Sequence, residues 1–357
     1  MNILILTTHF NRGGISRYAI SLAKGLSEQR HNVWVASCGG DWIKKLEAIN
    51  IPHIAIPIKT KKILSPKVFL SLIRLWQFLQ TQNIDVVHAN TRVVQFLAFL
   101  IYKQFRIPYV STFHGFYRPA ITRKLFQFQG LQTIAVSKAV KNHLAHDLWI
   151  KEEKIRVIYN GIDLKEFSSG ENKRTEWGFK DSDCLVGILG RISSEKGHFL
   201  TAEAIRLLSA KYDNIYLIIS GTGKLEEALK TFVKKTGIEK RVIFLNCTAN
   251  LFLSNINILV VPSSREGFGY SIIEAFAKGI PVVGYNIGGI TEVIQHKKNG
   301  ILFYGYDSLA LADAIEELIL HDALRNKIVC QAKDDVVYYS TTRMAIETEE
   351  VYLGVVR

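Results

Sequence analysis

Cysteine is scarce: four residues in 357, Cys38, Cys184, Cys247 and Cys330, lie far apart with no CxxC pair. That spacing argues against a zinc site or a disulfide framework and fits a reducing cytoplasm. Long apolar runs are missing too. The longest, 93–102, contains Gln95 and is about half of the ~20 residues a membrane-spanning helix needs. The opening MNILILTTHFNRGG has no basic region ahead of an apolar run that is short and strand-like, so no signal peptide is expected. No solenoid-length repeat and no low-complexity stretch occurs. Acidic residues are nearly absent from one region: residues 51–150 hold 13 Lys and Arg against 2 Asp and Glu.

What is present is globular. Hydrophobic residues make up 48% and charged residues 22%, which excludes a disordered or fibrous chain, and the length suggests two domains. The net charge of +13 is unevenly spread. Residues 1–170 carry 23 basic and 9 acidic side chains, residues 171–357 carry 22 and 23. A uniformly basic chain would suggest nucleic acid, and no RNA- or DNA-reading motif is found. A basic half beside a neutral half points to one domain meeting an anionic partner, such as a membrane surface.

Along the chain, apolar runs alternate with helical patterns. Asn2–Thr7, Asn32–Ala36, Ile84–His88, Tyr109–Phe113 and Thr133–Val136 read as buried strands, with a helix over Ile15–Leu26. The rhythm restarts with strands at Cys184–Gly190, Ile215–Ser220, Arg241–Leu245, Asn257–Val261 and Pro281–Gly284, and helices over Gly197–Ala210 and Leu225–Thr236. Such alternation specifies doubly wound parallel sheets. The fold expected is α/β, two Rossmann-like domains: 1–167, then 168–340, then a helical segment 341–357 whose destination the pattern leaves open. The polar stretch Ser168–Asp183 marks the boundary.

Chemistry gathers at strand ends. Gly13-Gly14 follows the first strand and reads either as a tight turn or as backbone open to an anion at a helix start. It lacks the GxGxxG spacing and the acidic residue of a nicotinamide site. The stretch from Gly190 to Gly197 offers Arg191 and Lys196 to a diphosphate, the alternative being a solvated loop. Glu266-Gly267-Phe268-Gly269-Tyr270-Ser271, running on to Glu274, sets two carboxylates around a glycine-rich bend. On one helix they would stand ~12 Å apart, too far for a glycosidase pair at roughly 5–9.5 Å, so separate hydroxyl-binding duties suit them better. His114, ending a strand ahead of Gly115, is either a satisfied core residue or an active-site donor. Asp181-Ser-Asp183 imitates a metal-binding DxD but precedes a strand, and reads as a loop.

In order and spacing these features, with Tyr159-Asn-Gly-Ile-Asp163, Ser220-Gly-Thr-Gly223, Gly288-Gly289-Ile-Thr-Glu292 and Asn299-Gly-Ile, resemble the retaining glycosyltransferases of family 4. The resemblance covers nearly the whole chain. It implies the GT-B arrangement, two Rossmann-like domains facing a cleft, with a nucleotide-diphosphate sugar held mainly by the second domain. It assigns Arg191 and Lys196 to the diphosphate, helped by Gly13 and Gly14. Glu274 goes to the ribose hydroxyls and Glu266 to those of the transferred sugar. Backbone amides of 267–271 meet sugar and phosphate, and His114 sits on the acceptor side. No metal or other cofactor is then expected, because cations and helix starts already face the departing diphosphate. The resemblance also implies retention, and since no carboxylate in the sequence announces itself as a nucleophile, a front-face route is expected in which the leaving phosphate takes the acceptor's proton. A sugar-nucleotide epimerase of the same fold and a non-catalytic sugar-nucleotide-binding protein are the alternatives.

The acceptor expected is a glycan or lipid-linked molecule of cell-surface polysaccharide or glycolipid synthesis. Lys59, Lys61, Lys62, Lys67 and Arg74 alternate with Ile63, Leu64, Val68, Phe69, Leu72, Ile73, Leu75 and Trp76. A second cluster runs from Phe116 through Arg118, then Arg123, Lys124, Leu125, Phe126 and Phe128. Either this is an ordinary amphipathic helix with a solvated basic face, or the first domain of a cytoplasmic protein docks on the inner leaflet.

Overall fold

A computed structural model describes residues 1–356, except the side chains of Thr122 and Leu125. Leu125 of the second basic-aromatic cluster and Arg357 of the terminal segment thus lie outside the described residues. The chain forms two compact units, Met1–Ile162 together with the chain from Tyr339 on, and Asp163–Tyr338.

The first unit is built on a seven-stranded parallel sheet in the order β3-β2-β1-β4-β5-β6-β7. Its strands are β1 Asn2–Leu6, β2 Asn32–Ser37, β3 His53–Ala55, β4 Val86–Ala89, β5 Tyr109–Phe113, β6 Gln132–Ala135 and β7 Ile155–Val157. The second unit has six parallel strands in the order β10-β9-β8-β11-β12-β13. These are β8 Cys184–Leu189, β9 Ile215–Ser220, β10 Val242–Leu245, β11 Ile258–Val261, β12 Val282–Tyr285 and β13 Ile301–Phe303. Central strands are buried on both faces (Ile3, Leu4, Ile5 and Leu6 have no exposed surface), so they read as continuous apolar runs. Burying each such side chain contributes ~1.5–3 kcal/mol.

In both sheets strand order reverses beside the first strand, between β1 and β4 and between β8 and β11. Open α/β sheets bind ligands outside the carboxyl ends of the strands at such reversals. The polar stretch Ser168–Asp183 belongs to the second unit. Asn255 ties it there, accepting from the Lys173 N–H at 2.5 Å and donating to the Glu171 carbonyl at 2.8 Å.

The segment that the pattern left unassigned returns to the first unit. Helix Thr341–Val356 lies along helix Gly14–Glu28 so closely that a Cβ on Gly25 would stand 2.7 Å from Ala345 Cβ. Glycine inside a helix costs ~1 kcal/mol relative to alanine, a loss that this approach offsets by burying Met344, Ala345 and Tyr352 completely.

Helix Pro66–Thr81 starts with Pro66 at its first position and Ser65 as its cap. It buries Val68, Ser71, Leu75 and Leu79, yet its outward side is not the polar face expected of a surface helix. Phe69, Leu70, Ile73 and Trp76 are exposed there, and Leu64 just ahead of it is 74% exposed. No helix among the described residues is long and apolar enough to cross a membrane.

Candidate functional site

In the second unit the loops after β8 and β11 meet across the strand-order reversal. Lys196 Nζ donates to Glu266 Oε2 at 2.5 Å, and the Ser263 hydroxyl donates to the same oxygen at 3.3 Å. The Ser264 N–H donates to the Glu195 carbonyl at 2.9 Å, fastening one loop to the other. Glycine makes this possible. Gly197 sits at φ +74°, and a Cβ there would lie 2.5 Å from the Pro262 carbonyl oxygen. Gly289 donates to the Glu266 carbonyl at 3.0 Å, and its own Cβ would meet Gly267 O at 2.3 Å. The Glu266 segment is therefore clamped between two glycine contacts.

Arg191 extends outward, its side chain 71% exposed and paired only loosely with Glu195 at 3.2 Å. Gly267, Phe268 and Gly269 lead into helix Tyr270–Lys278, with Gly269 at φ +92°. The Phe268 side chain is buried, so only its backbone can serve a ligand; Tyr270 and Ser271 are half-buried. Only 2% of Glu274 is exposed, on a turn whose Ile272, Ile273 and Phe276 are buried as well. Asp183 of the DxD look-alike accepts from the Lys180 N–H at 2.8 Å, a bond within its own loop.

In the first unit, Gly13 and Gly14 are exposed at the start of helix Gly14–Glu28, beside the carboxyl end of β1. His114 follows β5. Burial pushes its imidazole down to about 3, so the ring is neutral near pH 7. Its Nε2 lies 3.0 Å from Asn90 Oδ1, and Asn90 Nδ2 donates to the Leu6 carbonyl. The amide's orientation is thereby set, the imidazole proton belongs on Nε2, and Nδ1 is left as an acceptor.

Sequence reasoning missed Asn90 and a buried polar circuit behind it. Tyr352 Oη is 2.5 Å from His88 Nδ1, and His88 Nε2 is 2.7 Å from Thr112 Oγ1. Thr112 Oγ1 is 2.9 Å from Tyr18 Oη, so these contacts link the C-terminal helix through β4 and β5 to the first helix. Thr348 of the C-terminal helix donates to the Met344 carbonyl at 2.7 Å. With His88 neutral, one ring nitrogen donates and the other accepts. The Tyr18 ring meets His114 edge-on, centroids 4.7 Å apart. A histidine inside the apolar run Val86-Val87-His88-Ala89 was the available signal.

Two parallel-sheet Rossmann-like domains, each carrying its polar groups at the carboxyl edge, define the GT-B class of glycosyltransferase fold. Residues 169–335 match the family described as glycosyl transferases group 1, and residues 12–166 match Glycosyltransferase Family 4. With both domains so matched, the chain is a glycosyltransferase of the family 4 type. An uncharacterized glycosyltransferase of Methanocaldococcus jannaschii is 29% identical over 95% of this chain and 94% of its own. The UDP-Gal:α-D-GlcNAc-diphosphoundecaprenol α-1,3-galactosyltransferase of Escherichia coli is 25% identical over 77% of this chain and 78% of its own. Among solved structures, Anabaena HepE in complex with UDP-glucose superimposes with a TM-score of 0.87 at 22% identity, covering 99% of this chain and 100% of HepE.

Proposed function

We propose that this glycosyltransferase moves a sugar, with retention of configuration, from a nucleotide-diphosphate sugar to a glycan or lipid-linked acceptor of cell-surface polysaccharide or glycolipid synthesis. The observation that carries the reading is the Lys196–Glu266 pair, 2.5 Å long at the strand-order reversal of the second sheet. The UDP-glucose complex of HepE and the lipid-diphosphate acceptor in the name of the E. coli relative support it.

The roles follow from charge. A departing nucleoside diphosphate gains negative charge as the glycosidic bond breaks. Lys196, exposed Arg191 and the amides opening helix Tyr270–Lys278 stabilise that charge, with no metal required. Glu266, held by Lys196, accepts hydroxyls of the transferred sugar. Glu274 accepts those of the ribose, in bonds strengthened by its burial. His114, neutral and with Nδ1 free to accept, serves the acceptor side. No carboxylate in the sequence announces itself as a nucleophile, and in this reading the leaving phosphate takes the acceptor's proton.

The first domain docks on an anionic membrane. Its outward apolar stripe Phe69–Ile73–Trp76 with Leu70 and Leu64 lies among Lys61, Lys62, Lys67 and Arg74, and each cation near such a surface adds ~1 kcal/mol. Co-sedimentation with anionic vesicles should fall with salt and weaken when Lys61, Lys62 and Lys67 become Glu; no binding at low salt points to a soluble acceptor.

A thermal-shift screen of uridine-, guanosine- and adenosine-diphosphate sugars tests the donor, since a ligand at 100 times its Kd stabilises by about 2.7 kcal/mol. Nucleotide release should then require an acceptor and persist in excess chelator. Release of an altered sugar with no acceptor would make the chain an epimerase, and loss in chelator restored by magnesium or manganese would mean a metal serves the diphosphate.

A further inference from the structure

At the strand-order reversal of the first sheet, three neighbouring strands deliver polar side chains to the carboxyl edge. Thr8 follows β1 and Thr91 follows β4, their hydroxyl oxygens 2.6 Å apart. Thr91 stands at the cap position of helix Arg92–Phe105 but bonds no N–H of that helix. Asn90 lies between β4 and Thr91, and His114 follows β5. His114 is half-buried, keeping part of its surface open, and its Nδ1 makes no hydrogen bond among the described residues.

Asn90 has no exposed surface at all. Its amide is fixed from behind, because Nδ2 donates to the Leu6 carbonyl at 3.3 Å. Turning the amide over would set one carbonyl oxygen against another. Oδ1 therefore faces His114 Nε2, 3.0 Å away, and only an N–H satisfies it there. The opposite tautomer would strand a buried oxygen. The other neighbours of the ring do not reverse that choice. Tyr18 of helix Gly14–Glu28 meets it edge-on, His88 of β4 is neutral near pH 7, and the Tyr117 hydroxyl bonds the His114 backbone. Residues 51–150 contain two acidic side chains, Asp85 and Asp147, which accept from the Asn2 N–H and from His143. A bare imidazole nitrogen is selective: its lone pair takes an O–H or N–H and is repelled by the oxygens of phosphate or carboxylate.

We propose that Asn90 is a positioning residue of the transfer reaction: by holding His114 as the Nε2–H tautomer, it turns the Nδ1 lone pair toward a hydroxyl of the acceptor. That hydroxyl is one the reaction leaves intact, since the proton of the reacting hydroxyl goes to the leaving phosphate. The acceptor rests on the transferase reading above; the fixed tautomer does not.

The test observes the ring directly, in the full chain carrying nitrogen-15 in its histidines, with the His114 signals identified by their loss in His114→Gln. The unaltered protein should show a protonated Nε2 and a bare Nδ1 from about pH 5 to about pH 8. Asn90→Leu should release a mixture of tautomers. Asn90→Asp, nearly equal in size, sets a carboxylate on Nε2–H, favours the charged ring and should bring its protonation into that range. Octyl glucoside, a sugar on an alkyl chain, should shift the Nδ1 signal of the unaltered protein, and acetate, which has no hydroxyl, should not. In Asn90→Asp the octyl glucoside response should fade as pH falls, because Nδ1 then carries a hydrogen. A residue that only packs would leave the tautomer and the pH dependence as they were. An Nδ1–H tautomer in the unaltered protein overturns the proposal without any variant having to fold. An unchanged ring in folded Asn90→Asp overturns it as well, and silence toward octyl glucoside overturns the hydroxyl assignment. If uridine-, guanosine- and adenosine-diphosphate sugars all fail to stabilise the unaltered protein, the transferase reading falls and the tautomer measurement still decides the role of Asn90.

Discussion

Acid should loosen the first unit through His88. Its ring has no exposed surface, and burial, with His114 adding a lesser like-charge effect, lowers its pKa from 6.5 to about 3. The folded chain keeps it neutral, whereas the unfolded chain takes up a proton once pH drops below 6.5. Because the folded value lies below the unfolded one, the stabilisation is whole above about pH 6.5 and is lost as pH falls toward 3. At about pH 5 the loss from this residue alone is ~2 kcal/mol. His88→Gln keeps a polar side chain but cannot titrate. It should start lower at about pH 7.5, since the circuit is cut, and then lose ~2 kcal/mol less than the unaltered protein on going to about pH 5. Carboxylates and other histidines titrate in both proteins and cancel in that difference. Urea unfolding followed by tryptophan fluorescence is the assay, because Trp34, Trp42, Trp76 and Trp149 lie in the first unit and only Trp177 in the second. Equal losses in the two proteins would refute the reasoning, and with it the neutral His88.

Tyr352→Phe should cost ~1–3 kcal/mol, since His88 Nδ1 is left buried without its partner; combined with Tyr18→Phe, the unfolding midpoints should show a loss smaller than the sum. Gly289→Ala should displace the Glu266 segment, costing ~1–3 kcal/mol of overpacking and reducing donor turnover, whereas Gly354→Ala, whose Cβ would meet nothing within 4 Å, should leave turnover intact. Lys196→Ala should weaken donor affinity or turnover by ~1.5–3 kcal/mol; calorimetry that finds both unchanged removes Lys196 from the diphosphate site.

Central strands were legible because burial on both faces leaves a continuous apolar run, as in β1 and β9. The edge strands β3, β7 and β13 were not: three residues carry too little pattern to separate a strand from a loop. At the site, glycines marked the bends around Lys196 and Glu266 because close backbone approach leaves no room for another residue. The burial of Glu274 was not legible, since it is decided by the turn of a helix. The circuit was invisible for a different reason. Tyr352 is 264 residues from His88, and nothing local in either segment names the other.

That separation bears on how the protein is made. Strands β1 to β7 leave the ribosome first, but their sheet's covering helix is encoded after the entire Asp163–Tyr338 unit. While translation continues, His88 Nδ1 must wait without Tyr352 on a surface meant to be dry. The intervening unit, unbroken in sequence, can close on its own as it emerges. The domain born first is completed last, and a ribosome that stalls short of Tyr352 releases a finished second domain tethered to an unfinished first.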